Sequence, residues 1–249
     1  MICVSIVSHR HGPMVARLLT QVLTCPAVSQ VLVTLNVPES LRLPEDERVS
    51  MIENARPEGF GANHNAAFAR CSQPYFCPLN PDIELEDDPF PSLIAAIEEA
   101  SAAVAAPAVK SPDGDEEDSI RFFPTLRSLA LKALGGADGR YLVQKGQGAF
   151  FPEWVAGMFM LFRSADYAHL KGFDEGFFLY YEDVDICVRA WQSGLKVLAC
   201  PSVSVIHDAR RDSRRSLRHL GWHLASMARY FLKHRGRLPN ITDCVRDHV

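Results

Sequence analysis

Apolar residues fall along this chain in two rhythms: short unbroken runs, and longer stretches spaced three and four apart. Residues 2–8, 31–36 and 49–53 are runs of strand length, rich in β-branched side chains. Such a run reads as a strand covered on both faces. A polar turn, Ser8-His9-Arg10-His11-Gly12, separates the first run from helical spacing over residues 13–24. Strand, helix, strand in this order predicts a parallel sheet with right-handed crossovers. The same rules predict strands near 74–83 and over 102–109, and helices after Gly59, near 90–100 and near 126–134. Residues 154–163 read as one strand containing Gly157, followed by a short helix capped by Ser164. Val184, Cys187, Val188 and Trp191 form the buried stripe of a helix stopped by Ser193-Gly194. Strands over 195–200 and 203–207 flank a turn at Pro201, and helical spacing returns over 217–234. The pattern is that of an α/β fold with a mostly parallel central sheet. Residues 111–153 are the least regular, a long connection read as a mobile flap whose acidic run, 113–118, is a solvated surface.

Composition narrows the class. Over 249 residues, 47% hydrophobic and 22% charged content is ordinary for a soluble globular chain. The net charge of −4 is uneven: from Asp208 onward there are ten Lys/Arg against four Asp/Glu, a balance of +6, so the first 207 residues carry −10. A basic tail on an acidic body points to an anionic contact such as lipid head groups or phosphates. The seven cysteines are scattered with no C-x-x-C pair, which fits reduced thiols in a cytoplasm rather than disulfides or a zinc site. No apolar run reaches ~18 residues and the start lacks a basic leader, so the expectation is a soluble or peripheral protein.

Chemistry-bearing residues sit where strands end and helices begin. On parallel sheets ligands bind at the carboxyl ends of strands, and His9 and Asn36 lie at two such ends. Gly59-Phe60-Gly61-Ala62-Asn63-His64-Asn65 opens a helix with two glycines but fails G-x-G-x-x-G. It reads either as a phosphate-receiving N-terminus, with Asn63 and Asn65 as added hydrogen-bond donors, or as a tight turn. Asn80-Pro81-Asp82 places a carboxylate at a strand end, although for Asp82 taken alone an acidic turn capping the next helix is the better reading. His207 is the first polar residue after an apolar strand, a common place for a structural histidine. Glu182, Asp183 and Asp185 follow an aromatic run, Phe177-Phe178-Leu179-Tyr180-Tyr181, at a helix entrance. Asp183 is there either an N-cap or a carboxylate tuned for proton transfer by an apolar wall. The basic helix over 217–234 reads as a membrane-surface element, a dimer helix or a lid.

Three stretches carry a family resemblance: W-V-x-G-x-F-M-L-F-R from Trp154, G-F-D-E-x-F-F-L-Y-Y-E-D-V-D-I-C from Gly172, and G-L-K-V-L-x-x-P then V-x-V-I-H up to His207. With Gly59–Asn65 and Leu79-Asn80-Pro81-Asp82, the chain resembles family 2 glycosyltransferases of the GT-A fold, in their bacterial rhamnosyltransferase-rich branch. The resemblance covers about residues 2–234. It implies inverting transfer of a sugar, L-rhamnose first, from a dTDP- or UDP-sugar to a glycan or lipid-linked acceptor in surface polysaccharide synthesis. Asp183 would be the general base and Glu182 would orient acceptor or sugar. Asp82 and His207 would hold a divalent metal, Mn2+ or Mg2+, the ligand softness favouring Mn2+. Ser8, His9, Asn36, Gly59, Asn63, Asn65, Asn80, Trp154 and Gly157 would line the substrate site.

The implied layout is a catalytic domain over 1–207, with a nucleotide-binding part at about 1–110, a flexible connection over 111–153 and an acceptor part over 154–207. A basic helical extension over 208–249 would meet the inner face of the cell membrane or a second copy. Two departures stand out: Leu35 occupies the place of an acid that reads the base, and Asn80 replaces the first acid of a D-x-D pair. The alternative is a nucleotide-sugar-binding protein with a decayed site. A nucleotidyltransferase would want a glycine-rich loop with a basic residue after the first strand, and Ser8–Gly12 is a poor version. No nucleic-acid-binding module is present, so no nucleic-acid partner is expected.

Overall fold

The computed structural model describes residues 1–136, 139–144, 146–208 and 217–241. Of the residues counted above, Arg210, Arg211, Asp212, Arg214, Arg215, Asp243, Cys244, Arg246 and Asp247 lie outside the described residues. Ile2–Ser8 (β1) is buried almost throughout and pairs in parallel on both sides, with Val28–Leu35 (β2) and Tyr75–Leu79 (β4). Val49–Glu53 (β3) extends the sheet beyond β2. Between these strands run Gly12–Val22 (α1) and Phe60–Phe68 (α2). The chain continues through Ile83–Glu84 (β5), Phe90–Ala100 (α3), Ala102–Lys110 (β6), Ile120–Arg121 (β7) and Leu126–Ala133 (α4). Then come Trp154–Val155 (β8), Leu161–Arg163 (β9), Ser164–His169 (α5), Glu182–Gln192 (α6), Lys196–His207 (β10) and Leu217–Lys233 (α7).

The main sheet runs β3-β2-β1-β4-β9-β6-β10-β5, with β9 and β5 antiparallel to their neighbours. Strand alternation divides the core between its two faces. Ile2, Val4 and Ile6 face α1 and α3, whereas Cys3 faces the side that holds α2, α5 and α6. The order reverses at β1: the chain moves out to β2 and β3, then returns to place β4 on β1's other side. A ligand crevice is expected at the carboxyl ends of strands flanking such a reversal. Because β9 is antiparallel, its entrance, residues 156–160, lies on that same edge.

The structure corrects three sequence readings. Residues 154–163 are not one strand: β8 pairs with β7 in a separate small sheet, and the chain breaks at Gly157 before joining the main sheet as β9. Conversely, 195–200 and 203–207 are one strand, β10, whose register against β6 shifts between Cys200 and Ser204, so Pro201 sits in a bulge rather than a turn. Ser164 does not cap α5, because its Oγ donates to the Gln73 carbonyl at 2.6 Å.

Candidate active site

The entrance of α6 is built from strained backbone. Tyr180 and Tyr181 both take left-handed conformations, φ 70° and 66°, which non-glycine residues adopt at a cost. Tyr181 therefore occupies the cap position, and the N-cap reading of Asp183 is overturned. Asp183 instead accepts two backbone hydrogen bonds, from Val184 N–H to Oδ1 at 2.8 Å and from Gly157 N–H to Oδ2 at 3.0 Å. Gly157 permits this approach, since a Cβ there would stand 3.2 Å from the Asp183 Cβ.

Glu182 is buried, and its Oε2 finds no hydrogen-bond partner among the described residues. Burial raises the pKa of both acids, and the Asp183 charge raises Glu182 further. The two N–H groups on Asp183 favour its ionised form, so within the pair a proton is held more readily by Glu182 than by Asp183.

Both acids line a cavity of about 430 Å3. Asn80, Trp154, Gly157 and Phe60 share its wall, joined by Arg121, Lys132 of α4 and His223 of α7. Trp154 donates from Nε1 to the Phe122 carbonyl at 2.9 Å, and the Arg121 guanidinium lies 5.6 Å from its ring centre. Asn80 reaches this wall because its N–H donates to the Met158 carbonyl at 2.9 Å. Asn80 and Asp183 thus hold consecutive residues of the β9 entrance. The apolar wall differs from the expected one. Tyr180 and Tyr181 line the cavity, whereas Phe177 is in the core beneath Arg229 and Phe178 packs on Trp222.

Asp82 and His207, which are not part of that lining, come together at 3.2 Å between Oδ2 and Nε2. Sheet pairing makes the meeting: β5 pairs with the end of β10, and Asp208 N–H donates to the Asp82 carbonyl at 2.9 Å. Glu117, missed in the sequence, holds the other imidazole nitrogen at 2.6 Å. Burial alone would lower the His207 pKa, but its bonds to Asp82 and Glu117 overcome this and raise it to about 9. The buried Asp82 Oδ1 has no partner among the described residues, so this pair fits a divalent cation. Among the described residues no three His, Cys, Asp or Glu side chains are grouped to chelate an ion unaided. The acidic run is therefore not simply a solvated surface, since Glu117 serves His207 and Asp118 pairs with Arg121.

The remaining expected residues lie outside the cavity lining. Ser8 Oγ accepts the His11 N–H at 3.1 Å, and His9, whose pKa burial lowers, stands 3.4 Å from the Asn36 amide. Asn36 also bonds both the N–H and the carbonyl of Glu58, next to Gly59 and Phe60. The glycine turn has a packing role. A Cβ at Gly59 would meet the Phe178 carbonyl at 2.7 Å, and the Phe60 N–H already donates to that carbonyl. Asn63 spends its amide on Glu58 and Gly59, and Asn65 spends its amide on Phe173 and Glu175.

The third acid of the cluster has a different task. Asp185 is fully buried and meets Arg189, Lys233 and His234 at 2.6–2.8 Å, fastening α7 to α6. Burial would raise its pKa, but these cationic partners hold it below the ordinary value.

A mostly parallel sheet with an acid pair and an aspartate–histidine pair near one edge defines a nucleotide-sugar transferase fold, and the comparisons agree. Residues 34–169 match the model for "Glycosyl transferase family 2", more than half of the chain, and the chain belongs to that family. It is 27% identical to "Rhamnosyltransferase WbbL" of Escherichia coli (strain K12), over 94% of both chains. It is 29% identical to an "N-acetylglucosaminyl-diphospho-decaprenol L-rhamnosyltransferase" of Mycobacterium tuberculosis, over 58% of this chain and half of that relative. Among solved structures, GalNAc-T7 with UDP, GalNAc and Mn2+ superposes with a TM-score of 0.69 at 17% identity, over 85% of this chain and 44% of that one. The mannosyltransferase PcManGT of Pyrobaculum calidifontis, with GDP-Man and Mn2+, gives 0.61 at 13% identity, over 92% and 64%. The fold is GT-A.

Proposed function

We propose that this glycosyltransferase moves a sugar, L-rhamnose first among candidates, from a nucleoside-diphosphate donor to a hydroxyl of a glycan or lipid-linked acceptor in surface polysaccharide synthesis, with inversion. The observation that carries this reading is the Asp183 carboxylate, held by two backbone N–H groups inside the cavity beside a buried Glu182 whose Oε2 has no partner among the described residues. Asp183 accepts the proton of the acceptor hydroxyl while its oxygen bonds to the anomeric carbon and the bond to the diphosphate breaks on the opposite face. Glu182, protonated and short of a partner, donates to a sugar hydroxyl and orients it. Trp154, Gly157 and Asn80 would bound the sugar, and the Ser8–His9 turn and Asn36, at the carboxyl ends of β1 and β2, would receive the base. Asp82 and His207 would hold a divalent cation, Mn2+ or Mg2+, with Glu117 orienting the imidazole. When bound, it would neutralise charge on the leaving diphosphate. The two rhamnosyltransferase relatives and the Mn2+-containing neighbours support the sugar and the metal.

The test is Asp183→Asn, assayed with dTDP-rhamnose and a panel of UDP-sugars. Transfer should fall by roughly 10²–10⁴-fold, while donor affinity measured by calorimetry stays near that of the parent. Near-parental turnover would remove Asp183 as the base. Donor binding without transfer or hydrolysis in the parent chain would favour a binding protein with a decayed site.

A further inference from the structure

Helix α7 is amphipathic in the reverse sense. Its polar residues point inward, with Ser226 donating to the Leu179 carbonyl and Lys233 and His234 bonded to Asp185. Its outward face, Leu217, Gly221, Leu224, Ala225, Ala228 and Leu232, carries no charge and is exposed at every position. Leu217 and Leu232 are 86% and 77% open to solvent, and no described residue covers them. Contiguous exposed apolar surface of this kind marks an interaction site. Helix α4 repeats the feature, with Leu126 at 70% and Leu131 at 46%. The two helices also share the active-site cavity, α4 through Lys132 and α7 through His223.

Charge selects the occupant. From Ser119 to Gly136 and from Leu217 to Ile241 there is no Asp or Glu, whereas Arg127, Lys132, Arg218, Arg235 and Arg237 are exposed. A second copy would bring two basic faces together, which like-charge repulsion opposes. An anionic bilayer instead accepts leucines into its interface and cations at its head groups. We infer that α4 and α7 form a membrane-seating rim around the cavity mouth, docking the enzyme on an anionic lipid surface from which its acceptor enters. No described helix is long and apolar enough to cross the membrane, so the contact is interfacial. The inference shares a lipid-linked acceptor with the proposed function, so lipid binding and sugar transfer are measured separately.

The experiment is flotation of the full chain with vesicles of phosphatidylcholine alone or mixed with phosphatidylglycerol. The chain should float with the mixed vesicles and release as salt rises. The triple variant Leu217→Gln/Leu224→Gln/Leu232→Gln should weaken binding by roughly a hundredfold or more, and Leu126→Gln/Leu131→Gln should weaken it independently. Both sets are solvent-facing, so unfolding temperature and transfer to a water-soluble acceptor should stay at parental values. Failure of the parent to float, or unaltered flotation of both variants, would overturn the inference. So would a dimer in sedimentation that the variants split without any vesicle binding. Flotation with no sugar transfer would leave the rim standing and count against the enzymatic reading alone.

Discussion

The N–H of Gly157 donates to Oδ2 of Asp183 at 3.0 Å, across a contact in which a methyl group at position 157 would stand 3.2 Å from the Asp183 Cβ. One residue of the broken strand entrance thereby fixes the position of Asp183, the second residue of α6, and favours its ionised form against the effect of burial. Asn80 grips the next residue, Met158, through its own N–H. The segment 157–158 is therefore the mechanical link between the end of β4 and Asp183.

Gly157→Ala tests that link. The added methyl must push Asp183 by a few tenths of an ångström, so kcat should drop by roughly 10–100-fold, as expected when a reacting group is misplaced. The unfolding temperature should change little, because the site is at a cavity wall rather than in the core. Parental kcat would show that the Asp183 position is not set by this contact.

The acid pair predicts a pH profile. Asp183 works as a base only when ionised, and burial raises its pKa above the ordinary 3.8. Activity should therefore fall with acid along a limb centred above that value, and Asp183→Asn should abolish the limb together with the rate. Glu182→Gln keeps a neutral hydrogen-bond donor and should retain more activity than Glu182→Ala. The check is kcat against pH for all four proteins.

Glu117→Gln should leave the fold intact but loosen the imidazole of His207. Partners of this kind are worth roughly 10–100-fold in metal affinity. Calorimetric Mn2+ titration in the presence of nucleoside diphosphate would measure the loss, with Asp82→Asn as the stronger comparison. Unchanged affinity in Glu117→Gln would assign that contact to packing alone.

Acid should loosen α7 before it unfolds the sheet. Burial tends to raise the pKa of Asp174, but bonds from Lys233, the Gly176 N–H and Arg229 outweigh this and lower it to about 2. A carboxylate with a depressed folded-state pKa stabilises the fold above its ordinary value of 3.8 and loses that contribution as pH falls toward about 2. Hydrogen exchange in α7 should rise across that window, and Asp174→Asn should show fast exchange already at neutral pH. A flat response in the parent would exclude the contact as the fastening.

The order of strands and helices was legible in the chain because burial on two faces leaves unbroken apolar runs and burial on one leaves helical spacing. The family motifs singled out Asp82, Glu182, Asp183 and His207. Other features had no local signature. Glu117 sits in an acidic run that looks solvated, and only the return of that run onto β6, together with the pairing of β6 with β10, brings His207 to it. His223 belongs to a helix over a hundred residues from Asn80, yet both bound one cavity. Asn63 and Asn65 looked ready for phosphate, but the Asn63 amide turns back onto the carbonyls of Glu58 and Gly59, and the 173–178 segment packed onto α2 takes the Asn65 amide. By itself, then, the sequence determined most of the elements, the GT-A class and the chemical types of the acids. Tertiary structure decided which acid is held by backbone, which is buried without a partner and which fastens α7. Those distinctions arise from close approach between distant segments, and side-chain periodicity along one segment does not encode them.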